Sequence, residues 1–540
     1  MESYSEFKQT YSSWLAWFFR GLLLLVFVIF IARLTELQII KGAYYRSLAD
    51  ENRIREIPIM APRGKIFARD GTLLADNKAI KKVIKSSEDG LVKVEVENGT
   101  EETITEWERV YPLGENLAHV IGFLGEADTE EVGRVMAGCV GKEAVALSEM
   151  MGRTGLEQEY NCRLRGTMGA ELVEVDTFGR KLRVLGRKLP QKGRDIHTTI
   201  DPALQKKIAE TVGTIDLEDA SDEFARSRKV AVVATTPEGE VLSLYSSPSY
   251  NPKNVKDYLS RGDLPLFNRA ISGVYHPGSV FKIVTSLAAL EEDKIDGEYT
   301  YEDRGVISVN GFDYTNWYFT QFGRLEGVIG LERAIARSTD TFFYEVGAFV
   351  GPDKLAEWAG SLGYGKPTGI DIPGEAEGTV PSPAWKRAVK GDRWFLGNTY
   401  HFAIGQGDVA ATPLQVNLSI AAVANGGKLC RPFINSDTGE SCERVSVSRT
   451  NLSMVKNGMV SACSEGGTAY PFFNFEPVVA CKTGTAETFD AASPHAWFSV
   501  FDAQNPSIVL TVLVENGGEG SRVAAPIARA ILDFWFHENR

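Results

Sequence analysis

Three short fragments carry residue types able to do covalent chemistry: Ser279-Val280-Phe281-Lys282, Ser338-Thr339-Asp340 and Lys482-Thr483-Gly484-Thr485, in that order along the chain. A serine hydroxyl is a weak nucleophile and needs a base within hydrogen-bond reach. No histidine falls inside the fragments, so Lys282 is the base that the spacing offers. A lysine serves as a base only where its surroundings disfavour the ammonium, and burial beside a second cation, Lys482, would push that way. Ser338 adds a hydroxyl to relay protons, and Lys482 a cation to attract a carboxylate. The chemistry this set suits is acyl transfer through a serine.

Each fragment alone is a weak signal, because average composition yields about one or two accidental S-x-x-K matches in a chain this long. Two further matches, Ser5-Glu6-Phe7-Lys8 and Ser453-Met454-Val455-Lys456, break the order of the fragments. The match at Ser279 also has the right setting. Tyr275-His276-Pro277-Gly278 is turn chemistry, and Ser279 to Leu290 reads as a helix with one apolar face, so Ser279 opens that helix. Lys282 follows one turn up on the same face. A helix N-terminus brings free N–H groups and the positive end of the dipole, which favour a developing oxyanion. The bland alternatives are an N-cap serine with a solvated lysine and, at Lys482, an edge-strand lysine before a turn. The ordered set outweighs both.

The chain has 540 residues, 44% hydrophobic and 24% charged, ordinary for a globular protein of about two or three domains. A net charge of −13 with no basic stripe excludes nucleic acid as a partner. The six histidines are scattered and none lies near a cysteine at ligand spacing, so neither a metal nor a cofactor is expected. Six cysteines in this length do not make a disulfide scaffold. Cys430 and Cys442 bracket a stretch that reads as a hairpin tip, and a bridge there, which needs an oxidising compartment, stays open. Cys481 reads as a small buried residue on a central strand.

Trp14 to Ala32 is apolar except for Arg20 and extends through Leu37 to Ile40. It lacks a small-residue cleavage site, so it reads as a retained membrane anchor at 14–40, leaving a short tail at 1–13. The flanking charges, with Arg33, Lys41, Arg46, Arg53 and Arg55 following the segment, favour the opposite orientation to the one adopted below. From Leu37-Gln38 to Asn52-Arg53 the helical pattern continues, and Pro58 is expected to end it. Asp201 to Val212 reads as a helix. Strands are expected at Val230 to Thr235, Glu240 to Tyr245, Val478 to Thr485, Ala496 to Phe501 and Ile508 to Glu515, with a closing helix from Ala524 to Phe536. This pattern predicts an α+β fold: helices packed on and around one antiparallel sheet, with the site at its edge.

Beyond the three fragments, the chain carries Arg63-Gly64-Lys65-Ile66 with Asp70-Gly71, Gly152-Arg153-Thr154-Gly155-Leu156-Glu157, Ile404-Gly405-Gln406-Gly407, Thr412-Pro413-Leu414-Gln415 and Pro494-His495-Ala496-Trp497-Phe498. In this ordered set, from about Arg33 to the C-terminus, the chain resembles the class B penicillin-binding proteins, the membrane-anchored D,D-transpeptidases of bacterial cell-wall synthesis. Asp340 stands where division-type members usually carry Asn, and with Val512-Leu513-Val514-Glu515-Asn516-Gly517-Gly518 it is similar to the elongation type, the penicillin-binding protein 2 group. One departure is the little sequence between Asn77 and Arg109, where larger relatives insert a head subdomain.

The resemblance implies a β-lactamase-like transpeptidase fold with a five-stranded sheet at 198–540 and an elongated pedestal at 41–197. It implies that tail 1–13 is cytoplasmic and that the catalytic domain lies on the extracytoplasmic side. Ser279 would be acylated by the D-Ala-D-Ala end of a stem peptide, with Lys282 as base, Ser338 as proton relay and Asp340 positioning Lys282 and the substrate amide by hydrogen bonding. Lys482, Thr483 and Thr485 would hold the terminal carboxylate, Gly484 would let the substrate backbone lie against the strand, and the N–H groups of Ser279 and Thr485 would form the oxyanion hole. The acceptor would be an amine of a neighbouring stem peptide, β-lactams would be inhibitors, and the membrane partner would be a glycan polymerase of the SEDS family. Competing readings are a division-type transpeptidase, a D,D-carboxypeptidase or β-lactamase that transfers to water, and a non-catalytic scaffold or β-lactam sensor.

Overall fold

The computed structural model describes residues 13–87, 90–97, 103–135, 139, 144–146, 149–178, 180–217, 221–488 and 493–538. The Ser5 to Lys8 match and all of the N-terminal tail before Ser13 lie outside the described residues. The chain divides into two compact units, each discontinuous in sequence: 1–62, 79–108 and 167–191 form one, and 63–78, 109–166 and 192–540 the other.

The first unit opens with an α-helix over Ser13–Thr35, a π-helical turn over Glu36–Ile40 and a second helix over Gly42–Arg53. Trp14 to Ile40 is 27 residues long, and no part of its most apolar stretch is buried. At about 1.5 Å per helical residue this exceeds the roughly 30 Å hydrocarbon core of a bilayer. The helix ends at Arg53, before the proline expected to stop it. Ile54–Ile59 is instead an edge strand, antiparallel to Gly169–Val175, with Pro58 opposite Ala170. The Ile-rich alternation favours a strand, and an edge position tolerates a residue without an N–H. Lys181–Lys188 completes the sheet, and the buried Glu171 within it is paired by Lys181 at 3.3 Å and Arg187 at 2.6 Å.

The second unit is built on a five-stranded antiparallel sheet in the order Val241–Ser247, Val230–Thr235, Val509–Val514, His495–Asp502, Val479–Ala486. Alternate residues feed two apolar clusters. Ala231, Val233, Trp497 and Leu513 face one, with Leu287 and Leu414; Val230, Val232, Phe498 and Val512 face the other, with Ile208 and Ile527. Both faces are therefore covered by helices, which is why these strands read as almost unbroken apolar runs. The Pro413–Ala424 helix is buried along its whole length. It starts at a capping box in which Thr412 Oγ1 accepts from Gln415 N at 3.1 Å and Gln415 Oε1 accepts from Thr412 N at 2.9 Å.

Two of the sequence motifs meet in a buried ion cluster of this unit. Glu157, fully buried, accepts from Arg63 Nε at 3.0 Å and Arg109 Nε at 2.6 Å, and Arg63 Nη2 also donates to Asn161 Oδ1 at 3.0 Å. Two guanidinium groups with further polar partners satisfy a carboxylate that alone would be costly to bury.

The cysteines depart from expectation. All six are paired, as Cys139–Cys162, Cys430–Cys442 and Cys463–Cys481. Cys481 is buried, as expected, but it lies on the edge strand of the sheet, not a central one, and is bonded to Cys463 at the end of the Arg449–Ala462 helix. The fold brings that helix end against the strand, a proximity that sequence spacing does not encode.

Candidate active site

The Ser279 segment begins as a single 3-10 turn, Gly278–Phe281, and continues as the Lys282–Glu291 α-helix. Gly278 has φ +56, and its N–H donates to Gly405 O at 2.9 Å. A Cβ on Gly405 would stand 2.2 Å from Gly278 O, so both glycines are needed for the close approach that seats Ser279. On the other side, a Cβ on Gly278 would meet Thr485 O at 3.0 Å, and one on Gly484 would meet Trp497 Cβ at 2.9 Å and Pro277 O at 3.3 Å. The closest contact at Gly484 is thus with the neighbouring strand, and the serine turn lies just beyond it.

Lys282 is fully buried. Its Nζ donates to Ser338 O at 2.8 Å, Ser338 Oγ at 3.1 Å and Asp340 Oδ1 at 2.6 Å, which accounts for all three ammonium donors. The charge sits 5.4 Å from the Phe343 ring. Ser338 ends the Leu331–Arg337 helix in the left-handed region, φ +56, a conformation that costs a non-glycine residue about 1–3 kcal/mol and tends to mark a functional turn. That turn presents both its carbonyl and its hydroxyl to Lys282.

Lys482 reaches the same hydroxyl from the sheet: its Nζ lies 2.9 Å from Ser338 Oγ and 2.8 Å from Thr483 O, and it too is fully buried. Thr483 Oγ1 pairs with Thr468 Oγ1 at 2.8 Å, Thr485 Oγ1 accepts from Gly520 N at 3.4 Å, and Gln406 Nε2 donates to Thr485 O at 3.5 Å. The three fragments therefore converge on Ser338 Oγ, with Lys282 one helical turn from Ser279.

Burial lowers the proton affinity of both lysines. For Lys282 the Asp340 carboxylate opposes that fall. Lys482 drops well below the ordinary lysine value, through burial first and repulsion from Lys282 second, with Asp340 opposing. Asp340 is bonded to Lys282 directly, so its opposing effect is exerted at closest range on that lysine.

The sequence reading missed the residues behind Asp340. Trp317 N donates to Asp340 Oδ2 at 3.3 Å, and Asp340 N donates to Asn316 Oδ1 at 3.3 Å. Asn316 in turn is bonded to the buried Asp303. Nothing in the sequence between 301 and 329 signals that it folds against the second fragment.

The chain matches the family model of the penicillin-binding protein transpeptidase domain over residues 230–533 and that of the penicillin-binding protein dimerisation domain over residues 101–198. It is 31% identical to the peptidoglycan D,D-transpeptidase MrdA of Escherichia coli K12, over 95% of this chain and 92% of that protein. Among solved structures it is similar to the complex between the penicillin-binding protein PBP2 and MreC from Helicobacter pylori, with TM-score 0.75 and 25% identity over 89% of this chain and 98% of that one. It is also similar to a structure described as a peptidoglycan synthase complex coordinating polymerisation and crosslinking, with TM-score 0.73 and 29% identity over 96% and 97% of the two chains. With this coverage and the three fragments gathered on one hydroxyl, the chain belongs to the penicillin-binding protein transpeptidase family, in the group of the MrdA proteins.

Proposed function

We propose that the protein is a peptidoglycan D,D-transpeptidase that cross-links stem peptides during cell-wall elongation through an acyl-enzyme on Ser279. The observation that carries this reading is the meeting of Lys282 and Lys482 at Ser338 Oγ, at 3.1 and 2.9 Å, one turn from Ser279. Its counterpart in sequence is the near full-length likeness to MrdA.

In this mechanism Ser279 Oγ attacks the carbonyl of the penultimate D-alanine, and its proton passes to Lys282, which must first be neutral. Lys282 can shed its proton because burial disfavours the ammonium, although Asp340 opposes the loss. The backbone N–H groups of Ser279 and Thr485 take the oxyanion. As the tetrahedral intermediate collapses, the C–N bond to the terminal D-alanine breaks, and Ser338 passes the proton held by Lys282 to the leaving amine. An amine of a second stem peptide then attacks the ester, gives its proton back along the same path, and Ser279 is released. Lys482, Thr483 and Thr485 receive the terminal carboxylate, and Gly484 leaves the strand open to the substrate backbone. Lys482 Nζ is also tied to Ser338 Oγ, so the carboxylate must draw it away or bind alongside that contact. β-Lactams would acylate the same serine.

By the same proposal the Trp14 to Ile40 helix anchors the chain in the cell membrane, with residues 1–13 cytoplasmic, 41–197 a pedestal and 198–540 the transpeptidase domain outside the cytoplasm. Its partners would be a SEDS-type glycan polymerase and, by likeness to the Helicobacter pylori complex, an MreC-type protein. The direct test is intact-mass spectrometry after incubation with benzylpenicillin. The full-length protein should gain one penicilloyl adduct that Ser279→Ala lacks; an unmodified, folded parent would overturn the assignment.

A further inference from the structure

Between the Ser279 helix and the Ser338 turn the chain makes an excursion that neither the three fragments nor the mechanism above uses. It leaves by strand Tyr301–Asp303, passes through the Val306–Val309 and Phe312–Thr315 hairpin and the Trp317–Phe322 helix, and returns by strand Gly327–Ile329. Tyr301 pairs with Ile329 and Asp303 with Gly327, so the excursion is closed at its base.

A carboxylate is buried at that base. Asp303 is 1% exposed, and its two oxygens take four donors: Thr341 Oγ1 at 2.7 Å and Gly305 N at 2.9 Å on Oδ1, Glu326 N at 3.0 Å and Asn316 Nδ2 at 3.1 Å on Oδ2. Asn316, fully buried, turns its other amide atom to the second fragment, where Oδ1 accepts from Asp340 N at 3.3 Å. The amide orientation is forced, because a flip would set an N–H against the Asp340 N–H and an oxygen against the Asp303 carboxylate. The next residue, Trp317, holds Asp340 Oδ2 by its backbone N–H and Arg337 O by its indole, at 3.3 and 2.8 Å. Asp340 is thus gripped at its own N–H and at one carboxylate oxygen, and the other oxygen is left aimed at Lys282, 2.6 Å away.

We propose that Asn316, clamped by Asp303, is a positioning residue for acylation, fixing the Asp340 carboxylate against Lys282. The inference rests on Lys282 acting as the base for Ser279. The groups that face Lys282 are Asp340 from the helix after Ser338, Lys482 from the edge strand and the uncharged Phe343 ring; Asp340 in turn faces Tyr344. Of the charged groups, Asp340 alone raises the proton affinity of Lys282, and it is the one that Asn316 holds. Loosening it lets Lys282 lose its proton at lower pH, while the misplaced amine becomes a poorer base.

The test measures the acylation rate of the full-length protein with a fluorescent penicillin across pH, for the parent, Asn316→Ala, Asp340→Asn and their combination. In Asn316→Ala the acid limb should move to lower pH, in the same direction as in Asp340→Asn, and the plateau should fall by roughly ten- to a hundredfold. Adding Asn316→Ala to Asp340→Asn should move the limb no further. A limb that stays at its parental pH in folded Asn316→Ala, or that still moves in the Asp340→Asn background, would overturn the inference. If Asn316→Ala does not fold, Asn316→Leu carries the test, since it keeps the volume but removes both the donor to Asp303 and the acceptor for the Asp340 amide; the same limb shift is expected. Lys282→Ala separates the two failures: if it acylates like the parent, the base assignment is wrong, whereas a silent Lys282→Ala beside an unmoved Asn316→Ala limb removes the positioning role alone.

Discussion

Lys282 presents the sharpest problem at the residue scale, because an amine that must act as a base is held by a carboxylate 2.6 Å away. Burial and Asp340 pull its proton affinity in opposite directions, and burial is the larger effect. A base works above its pKa, so acylation should rise with pH along a limb that lies below the ordinary lysine value of about 10.4. Replacing Asp340 by Asn removes the opposing charge and should move that limb further down, which the pH dependence of penicillin acylation will read. Lys282→Ala should slow acylation by about 10²–10⁴-fold without unfolding the protein, measured as the second-order rate on a sample with parental thermal stability. The candidates Ser279, Lys282, Ser338, Asp340 and Lys482 can be picked out of the sequence because the chemistry expected of them fixes residue type and order. Asp303 and Asn316 cannot, since a buried Asp–Asn pair is recognisable only once the backbone that surrounds it is folded.

At the scale of elements, glycine contacts set where the serine stands. Gly405 has φ +75, and any side chain there would run into Gly278 O and Phe281 Cβ. Gly405→Ala should therefore displace the Gly278–Phe281 turn and slow acylation by roughly 10²-fold, a cost expected of a displacement near 1 Å at a reacting atom; rate and thermal midpoint measured together will show it. The five sheet strands were readable because both faces of the sheet are covered and their apolar runs are nearly continuous. The helix after the anchor was misjudged at its end: Pro58 looked like a helix stop, yet the β-branched stretch from Ile54 had already become an edge strand. The Cys463–Cys481 pairing was invisible for a related reason, as it depends on a helix end meeting a strand in three dimensions.

For the molecule as a whole, acid stability depends on a buried histidine. His119 is held neutral, its pKa lowered by burial to about 4, with its ring bonded to Pro265 O at 2.9 Å. Unfolded, it takes up a proton near its ordinary value of about 6.5, so between about 6.5 and 4 the unfolded chain binds more protons and the folded state loses stability as pH falls. The loss below about pH 4 should approach 3 kcal/mol from this residue, and His119→Gln should flatten that part of the stability curve in denaturant titrations. Paired cysteines suit an exported domain. Alkylation of the unreduced, denatured protein should label none of the six cysteines, and all six after reduction; ready labelling before reduction would argue against an oxidising compartment.

Transfer of the acyl group from Ser279 to an amine distinguishes the proposed transpeptidase from a hydrolase. It is tested most directly by incubating the full-length protein with a pentapeptide donor ending in D-Ala-D-Ala and an amine-bearing acceptor peptide, and resolving the products by mass. One D-alanine should be released for each new donor–acceptor amide, with neither product formed by Ser279→Ala. Release of D-alanine with only the hydrolysed tetrapeptide would contradict this transfer and make the protein a carboxypeptidase.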